Sequence, residues 1–329
     1  MYDITFLGNA PVDVLMHVSD DVLKKHNLQK GDWIEVTPET MQEILAQTPE
    51  SERELIPGGS VANSAHGFTA LGGKGYLCAY VGNDKEGEVF YKAHQDHGID
   101  MPAPVPGKRT LVIYVLITPD GERTFIAPTG DKGGKSRAKI GTEGLQEAAI
   151  ASSDWLLIEG YLFADDFGSI LKACQIARKN NTKIALTLAA PSFVKGFYSE
   201  IALLVRDGID LYICNEEELK TLKEAELTGD DEQHAEETLA KLREVPHLVT
   251  YGKKGATYQA PGEKTHVATR EAESIVDATG AGDAFAAGYF YGTISGQERE
   301  KAIMLGHSLA GKVIQIVGGR LPKEAFRDI

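Results

Sequence analysis

A glycine-rich turn followed by an acidic residue stands near the carboxyl end of the chain. The turn is Gly280-Ala281-Gly282, Asp283 follows it, and residues 284–289 are apolar. Such a segment predicts a helix whose first backbone N–H groups lack intrahelical partners and lie at the positive end of the helix dipole. Unpaired N–H groups of this kind bind phosphate oxygens. We therefore predict that the three residues of the turn form an anion hole for a transferring phosphoryl group.

Asp283 is placed to act as a general base in the same reaction. A carboxylate beside an anion hole can orient an acceptor hydroxyl and take its proton as the phosphoryl group moves. The alternative is an ordinary helix after a turn, in which Asp283 only favours the dipole. A second glycine cluster far upstream, Gly58-Gly59-Ser60, is followed by Asn63. Together the two clusters favour the catalytic interpretation.

The two clusters resemble, in order and separation, the signatures of the PfkB, or ribokinase-like, family of carbohydrate and nucleoside kinases. Residues 215–218, Asn-Glu-Glu-Glu, match the family's Asn-x-x-Glu, and the resemblance covers nearly the whole chain. Residues 8–13, the Gly-Gly-Ser cluster, residues 187–193 and Gly306-His307 look most like the adenosine kinase branch. The resemblance implies an enzyme that transfers a phosphoryl group from ATP, with Mg²⁺, to an alcohol.

The resemblance also implies a ribokinase-like α/β fold in one domain spanning residues 1–329. In this fold a central, mostly parallel sheet carries helices on both faces, and a small β lid, here about residues 12–37 and 108–127, is inserted into the core. The sequence agrees, because alternating strands and helices favour a parallel sheet with right-handed crossovers. The predicted strands are 3–7, 12–18, 31–37, 155–159, 183–188, 211–214 and 247–251, and the predicted helices include residues 60–71 and 167–179. Turn residues 119–122 predict a hairpin over 110–127.

On the acceptor side, Asp13 lies on an early predicted strand, where its carboxylate can accept two hydrogen bonds from a ribose diol. Asn9 and Asn63 would add amide donors and acceptors. Gly58 and Gly59 allow the backbone to approach the sugar and would also act as a hinge for closure of the lid. A turn residue at the end of a strand is the alternative for Asp13.

An adenosine acceptor also needs an apolar enclosure for its purine ring. By position the candidates are Trp33 and Ile34 in the lid, with Tyr161 and Leu162 after a core strand; simple packing is the alternative for each. Arg123, at the end of the hairpin, would reach the transferring phosphate when the lid closes. An exposed hairpin arginine is the plain alternative.

The resemblance assigns further residues to the nucleotide. Asn215 would lie near the ATP phosphates and Glu218 would place Mg²⁺ through water, whereas a capping box is the alternative for this pair. The loop that contains Thr250, Gly252 and Gly255 would contact the nucleotide, or be only a hairpin turn.

Two further positions follow from the same resemblance. His307 would lie beside the adenine of ATP, or be an ordinary half-buried histidine. Family members often place K⁺ beside the anion hole, and Asp277, together with the 317–319 loop, is the candidate for that ion in this chain.

Composition restricts the partners. A net charge of −14 argues against nucleic acid and an anionic membrane, since either would favour a basic face. The amino terminus lacks the basic region of a signal peptide and no apolar run approaches the ~20 residues of a membrane span, so we expect a cytoplasmic protein. Cys78, Cys174 and Cys214 are widely spaced in apolar sequence, which predicts reduced core thiols.

Two phosphate-binding motifs are rejected. Residues 130–136 resemble a P-loop, but three residues separate Gly130 from Gly134 where the motif requires four. No Gly-x-Gly-x-x-Gly opens the first βα unit, so a dinucleotide-binding fold is not favoured.

The predicted function is therefore an ATP-dependent kinase for a primary hydroxyl of a small ribose-containing substrate, with adenosine to AMP as the first choice. A sugar kinase of the ribokinase or fructokinase type is the second. A non-catalytic sensor of nucleosides or sugars is the third, and the retained Asp283 disfavours it because a pure binder needs no base. A monomer and a homodimer are both compatible with the sequence.

Overall fold

The computed structural model describes residues 1–128, 137–226, 242, 244–270 and 272–326, with the backbone alone at positions 33, 225, 226 and 323. The described strands are β1 Ile4–Leu7, β2 Pro11–His17, β3 Trp33–Val36, β4 Glu54–Pro57, β5 Gly75–Cys78, β6 Leu111–Ile117, β7 Arg123–Pro128, β8 Trp155–Glu159, β9 Lys183–Thr187, β10 Leu211–Asn215, β11 His247–Thr250, β12 Ala256–Ala260 and β13 Glu263–Val267. The described helices are α1 Asp20–Lys25, α2 Pro38–Leu45, α3 Ser60–Ala70, α4 Lys85–Asp96, α5 Gly141–Gly144, α6 Glu147–Ala151, α7 Phe167–Lys179, α8 Pro191–Gly196, α9 Tyr198–Arg206, α10 Glu216–Glu226, α11 Ala281–Ile294 and α12 Arg299–Val313.

The larger sheet is mostly parallel and has helices on both faces. Its order is β13-β12-β11-β10-β9-β8-β1-β5, and only the pairings of β12 are antiparallel among the described strands. Strands β1 and β8 are buried along their whole length, as expected of parallel strands covered on both sides. One apolar cluster joins this sheet to α3, α11 and α12, and another joins it to α6, α7 and α9. The predicted α/β architecture is confirmed.

The smaller sheet has the order β3-β7-β6-β2-β4 and its own apolar cluster beneath α1 and α2. Strands β6 and β7 form the predicted hairpin, and the amide of Thr118 donates to the carbonyl of Glu122 across the bend at 3.1 Å. Strand β4, which pairs with β2, was not predicted. It leads directly into the Gly58-Gly59 turn. That this sheet closes over a substrate as a lid remains a prediction.

Two glycines set the start of the helices that carry the candidate site. Gly59 precedes α3 with φ of 96°, and a Cβ there would lie 2.8 Å from the carbonyl oxygen of Asn9. Gly280 precedes α11 with φ of 76°, and a Cβ there would lie 2.5 Å from Cα of Gly319. Side chains are unfavourable in this left-handed backbone region, so only glycine fits both turns. The turns bring the N-termini of α3 and α11 together.

The remaining structural predictions concern cysteines, membrane spans and the rejected P-loop. Cys78, Cys174 and Cys214 are buried free thiols, as predicted. Within the described ranges, no helix is both long and apolar enough to cross a bilayer. Residues 130–136 lie outside the described part of the chain.

Candidate active site

Asp283 lies in the first turn of α11, where side chains from the start of α3 hold its carboxylate. Its Oδ1 accepts a hydrogen bond from Ser60 Oγ at 2.6 Å, and its Oδ2 accepts one from Asn63 Nδ2 at 2.9 Å. Ser64 Oγ donates to the Asp283 backbone carbonyl at 3.0 Å. These contacts fix the carboxylate in one orientation, as a positioned base requires.

The electrostatic surroundings of Asp283 make its carboxylate unusually basic. Burial raises its pKa to about 6, and the hydrogen bonds from Ser60 and Asn63, with the charge of Arg320, oppose the rise. The group is therefore mostly ionised at neutral pH, yet it binds a proton more readily than an exposed aspartate does. A general base works best with a pKa near the operating pH.

The glycine turn before Asp283 differs in one respect from the prediction. The amide of Ala281 donates to the carbonyl of Ala278 at 3.3 Å, so it is not unpaired. The left-handed Gly280 folds the chain back and closes this turn. A Cβ placed on Gly282 would have no described atom within 4 Å, apart from its chain neighbours and the nearby backbone of its own helix. Gly282 is therefore exposed and borders open space at the start of α11, where an anion could approach.

Asp277 joins the smaller sheet to the loops around the glycine turn. Its Oδ2 accepts hydrogen bonds from Arg123 Nη1 at 2.8 Å and from the Gly318 amide at 2.9 Å, and its Oδ1 accepts one from the Thr279 amide at 2.9 Å. Burial opposes ionisation, but the bonds from Thr279 and Gly318 hold the pKa of Asp277 below its usual value. The phosphate contact of Arg123 and the K⁺ site at Asp277 remain predictions.

Asp13 in β2 faces the Gly58-Gly59 turn. A Cβ on Gly58 would lie 3.2 Å from Asp13 Oδ2, so the turn backbone passes directly beside the carboxylate. Burial raises the pKa of Asp13 to about 6, while the charges of Arg320 and Arg123 lower it. The predicted diol-binding carboxylate and the predicted base therefore share one cationic neighbour, Arg320.

Arg320 was not identified from the sequence. Its Nε donates to Asn63 Oδ1 at 2.9 Å, and its Nη2 donates to the Gly58 carbonyl at 3.1 Å. Burial lowers the pKa of this guanidinium to about 10, although Asp13 and Asp283 raise it. The only signal in the sequence was a basic residue after two glycines, and that signal says nothing about contacts with residues more than 250 positions away.

Glu159 was also missed. It is the charged end of the otherwise apolar strand β8, and only 1% of its surface is exposed. Its carboxylate accepts hydrogen bonds from the amides of Asn9 at 2.7 Å and Val61 at 3.1 Å. Burial raises its pKa to about 7, and these two bonds oppose the rise. Glu159 thereby ties the segment after β1 to the start of α3.

Asn9 is oriented by a partly buried ion pair. Arg137 donates to Asn9 Oδ1 at 3.0 Å and makes two hydrogen bonds, of 2.9 and 3.1 Å, with the carboxylate of Asp165. The amide oxygen of Asn9 is thus engaged by the protein, which orients its NH₂ group as a donor; contact of Asn9 with a substrate remains a prediction.

Of the residues predicted to enclose a purine, Tyr161 is the best placed. It is 36% exposed, and its ring packs edge-on against Phe193 at 4.9 Å between centroids. Burial raises its pKa to about 12, and the charges of Asp283 and Glu159 add to the rise. Leu162 is only 2% exposed and belongs to the core, so packing explains it.

Two lid candidates for the purine pocket give less information. Ile34 packs against the apolar cluster of the smaller sheet. The backbone of Trp33 lies in β3, and its side chain falls outside the described part of the structure.

Asn215 and Glu218 form the capping box that was the alternative interpretation. The amide of Asn215 and its Nδ2 donate to the two carboxylate oxygens of Glu218 at 3.0 and 2.7 Å, and the Glu218 amide donates to Asn215 Oδ1 at 2.8 Å. Burial raises the pKa of Glu218 to about 7. A role in placing Mg²⁺ remains a prediction; the described residues contain no group of three or more His, Cys, Asp or Glu that could hold a metal.

The residues predicted to contact the nucleotide form a row at one end of the larger sheet. Asn215 and Thr250 are paired in register, Thr250 pairs with Ala256, and Ala256 pairs with Val267. The Val267 carbonyl lies 3.1 Å from His307 Nε2, and burial lowers the pKa of this histidine.

The loop between Thr250 and Ala256 is a hairpin turn that contains a short 3₁₀ segment, Gly252–Lys254, and then Gly255. The turn interpretation is therefore correct for Gly252 and Gly255, and their contact with a nucleotide remains a prediction.

Known proteins are similar to this chain over nearly its whole length. The model of the pfkB family of carbohydrate kinases matches residues 32–325. An adenosine kinase of Saccharomyces cerevisiae is 27% identical in an alignment of 346 residues. The alignment covers 98% of this chain and 97% of that protein.

Two solved structures are similar as well. An adenosine kinase from Sinorhizobium meliloti has a TM-score of 0.81 at 29% identity, covering 97% of this chain and 96% of its own. A probable sugar kinase from Rhizobium etli CFN 42 has a TM-score of 0.82 at 27% identity, covering 99% and 97%. The comparisons confirm the ribokinase-like fold. They include kinases of both acceptor classes.

Proposed function

Because this chain belongs to the pfkB family of carbohydrate kinases, we propose that it phosphorylates the primary hydroxyl of a ribose-containing substrate with ATP, and that adenosine, converted to AMP, is its preferred acceptor. Two adenosine kinases match 97% or more of this chain and 96% or more of their own length. The observation that carries the proposal is the carboxylate of Asp283, held by Ser60 and Asn63 at the open N-terminus of α11.

The proposed reaction is an in-line displacement. The hydroxyl oxygen of the acceptor attacks the γ-phosphorus, the bond from that phosphorus to the bridging oxygen breaks, and ADP leaves with the bond electrons. Asp283 takes the proton of the hydroxyl. Backbone N–H groups at the start of α11 stabilise the charge on the transferring group, with Gly282 exposed to the open space in front of the helix.

Recognition of the ribose rests on Asp13. With a pKa of about 6, this carboxylate is mostly ionised at neutral pH and acts purely as an acceptor, which suits two neighbouring hydroxyl donors. Gly58 lets the backbone pass beside it. Asn9 contributes the NH₂ donor that Arg137 leaves available.

Preference for a nucleoside rests on Tyr161. Its ring is partly exposed, it follows Glu159 at the end of β8, and the charges of Asp283 and Glu159 raise its pKa. An exposed aromatic ring, supported by Phe193, offers a stacking surface for a flat base. A free sugar gains little from such a surface.

The nucleotide belongs to the row of residues at the end of β10, β11 and β13. Kinases of this family use ATP and typically Mg²⁺. Glu218 supplies a carboxylate on which a hydrated Mg²⁺ can be positioned, and the ion would neutralise charge on the phosphate oxygens. Thr250 and His307 lie along the same end of the sheet and would contact the nucleoside part of ATP.

Competition kinetics with ATP and a panel of nucleosides and sugars tests the proposal. Burial of a purine contributes several kcal/mol that ribose does not obtain, so adenosine should have a kcat/KM at least ~10²-fold above ribose or fructose. Asp13→Ala should weaken the use of nucleosides and sugars alike, whereas Tyr161→Ala should weaken only the use of nucleosides.

A sugar kinase is the second candidate, favoured by the similarity to the probable sugar kinase from Rhizobium etli. If a hexose or pentose outcompetes adenosine, the proposed acceptor is wrong and the kinase assignment still holds. Binding of adenosine without any turnover of ATP would leave only a nucleoside sensor.

A further inference from the structure

Arg320 contacts three separate segments of the chain, two of which carry residues predicted for the acceptor side of the site. It follows α12 in the chain, and its guanidinium donates to Asn63 on α3 and to the Gly58 carbonyl at the end of β4. The aromatic ring of Phe90 lies on another side, 5.9 Å from the guanidinium carbon. Three separate elements therefore fix the position of one cation.

One of the two hydrogen bonds of Arg320 determines how the Asn63 amide is oriented. Because Arg320 donates to Asn63 Oδ1, the NH₂ group of that amide must point the other way, and it donates to Asp283. A flipped amide would place its oxygen against the carboxylate and lose both bonds. The orientation of the base thus depends on Arg320 through one intermediate side chain.

The charge of Arg320 acts on the same carboxylates. It lowers the pKa values of both Asp13 and Asp283, against the effect of burial. The other titratable groups that influence Asp283, or are influenced by it, are acidic: Glu159 at the end of β8, Tyr161 after it and Glu218 on α10. Without Arg320, the charges that act on Asp283 would come mainly from other acidic groups.

Two further titratable groups complete the surroundings of this cation. Arg123 from β7 lowers the pKa of Asp13 but is hydrogen-bonded to Asp277. His94 on α4 faces Arg320, and burial together with that charge lowers its pKa to about 3, so it is neutral and adds no competing cation.

We propose that Arg320 is a positioning residue for phosphoryl transfer, which orients Asn63 toward Asp283 and keeps that carboxylate ionised. Its charge also favours the ionised form of Asp13, so one partly buried guanidinium prepares both the base and the diol-binding group. The inference rests on the proposed kinase function and adds to it a residue that acts through others.

Two substitutions separate the charge of Arg320 from its hydrogen bonds. Arg320→Met removes both, and Arg320→Lys keeps the charge while it loses the fork that reaches Asn63 and Gly58. An opposite charge nearby changes a carboxyl pKa by roughly one to three units, so the acid limb of kcat/KM against pH should move up by roughly one unit or more in Arg320→Met. In Arg320→Lys the limb should stay near that of the wild type while kcat falls.

Arg53→Met is the matched control. Arg53 is likewise a partly buried arginine held by hydrogen bonds, but among the described residues it donates only to the backbone carbonyls of Leu45 and Thr48, at the end of α2 and just after it. Its substitution removes a similar number of hydrogen bonds, and the acid limb should not move.

A second measurement needs neither ATP nor acceptor. Burial raises the folded pKa values of Asp13 and Asp283 above the unfolded ones, so the stability they contribute is present below about pH 4 and is lost as pH rises through about 6. Without Arg320 this loss extends to higher pH. The stability deficit of Arg320→Met against wild type should therefore grow between about pH 5 and pH 8, while that of Arg53→Met stays constant.

Three results would overturn the proposal: an unmoved acid limb in Arg320→Met, a limb that moves equally in Arg320→Lys, or a stability deficit that does not depend on pH. Failure of the wild type to phosphorylate any acceptor would instead refute the proposed function. The unfolding series would still decide whether Arg320 controls the two carboxylates.

Discussion

Replacing Asp283 with asparagine should almost abolish turnover while making the folded protein more stable at neutral pH. The amide has nearly the same shape, and its oxygen can still accept the hydrogen bond from Ser60, but it cannot take a proton from the acceptor. Loss of a positioned general base lowers kcat by on the order of 10²–10⁴, which corresponds to about 3–5 kcal/mol in the activation barrier. Binding of ATP should remain close to normal.

The expected gain in stability follows from the pKa of Asp283. The pKa of Asp283 in the folded protein is about 6, whereas an unperturbed aspartate has a pKa of 3.8. Since each unit corresponds to 1.36 kcal/mol, ionisation of this carboxylate costs the folded state up to about 3 kcal/mol once the pH exceeds 6. The asparagine does not ionise. Its stability relative to wild type should therefore rise by up to about 3 kcal/mol between pH 4 and pH 7.

The assays are release of ADP for turnover and urea unfolding at the two pH values for stability. Asp166→Asn is the matched control, because Asp166 is also a partly buried carboxylate that accepts bonds from a helix start, here the amide and hydroxyl of Ser169 on α7. It should keep its kcat. A variant Asp283→Asn with more than half of the wild-type kcat, or with a relative stability that does not change with pH, would refute the reasoning.

Three other predictions concern the ions and the junction between the sheets. Activity should be higher in K⁺ than in a bulky organic cation at matched ionic strength, and equal rates would count against a K⁺ site at Asp277. Arg123→Met and Asp277→Asn should each lower kcat/KM, with a coupling energy of about 0.5–3 kcal/mol in a double-mutant cycle; additive effects would show that their ion pair does not matter for catalysis. Glu218→Gln should raise the Mg²⁺ concentration for half-maximal rate by roughly tenfold or more, the scale on which mutation of residues around a metal site weakens metal binding. Glu217→Gln, at the exposed neighbouring position, should leave this concentration unchanged.

The elements with a continuous pattern were predictable from the sequence. Strand β8 and helix α7 have the predicted bounds, because an apolar run and a helical period each extend over the whole element. The hairpin of β6 and β7 was predictable from its turn residues. Strand β4 was missed, since Glu54–Pro57 is short, begins with a charge and ends in proline.

The chemical groups of the site were predictable only where local motifs mark them. Asp283 stands in such a motif, and the structure places it against Ser60 and Asn63 as two distant glycine turns come together. Arg320 and Glu159 carry no local signature, because their roles arise from contacts across the fold. The pairing of the Ala281 amide depends on the left-handed Gly280, a backbone angle that the sequence permits but does not specify.

The most direct test of the proposed function is a competition experiment in which ATP is limiting and adenosine, ribose and fructose are present at equal concentration. Mass spectrometry identifies the phosphorylated product, and ³¹P NMR identifies the oxygen that carries the phosphate. We predict AMP phosphorylated on the 5′ oxygen, with sugar phosphates at about 1% of it or less, as expected from a ~10²-fold preference in kcat/KM. A sugar phosphate as the main product would contradict the proposed acceptor, and consumption of no ATP with any acceptor would contradict the kinase itself.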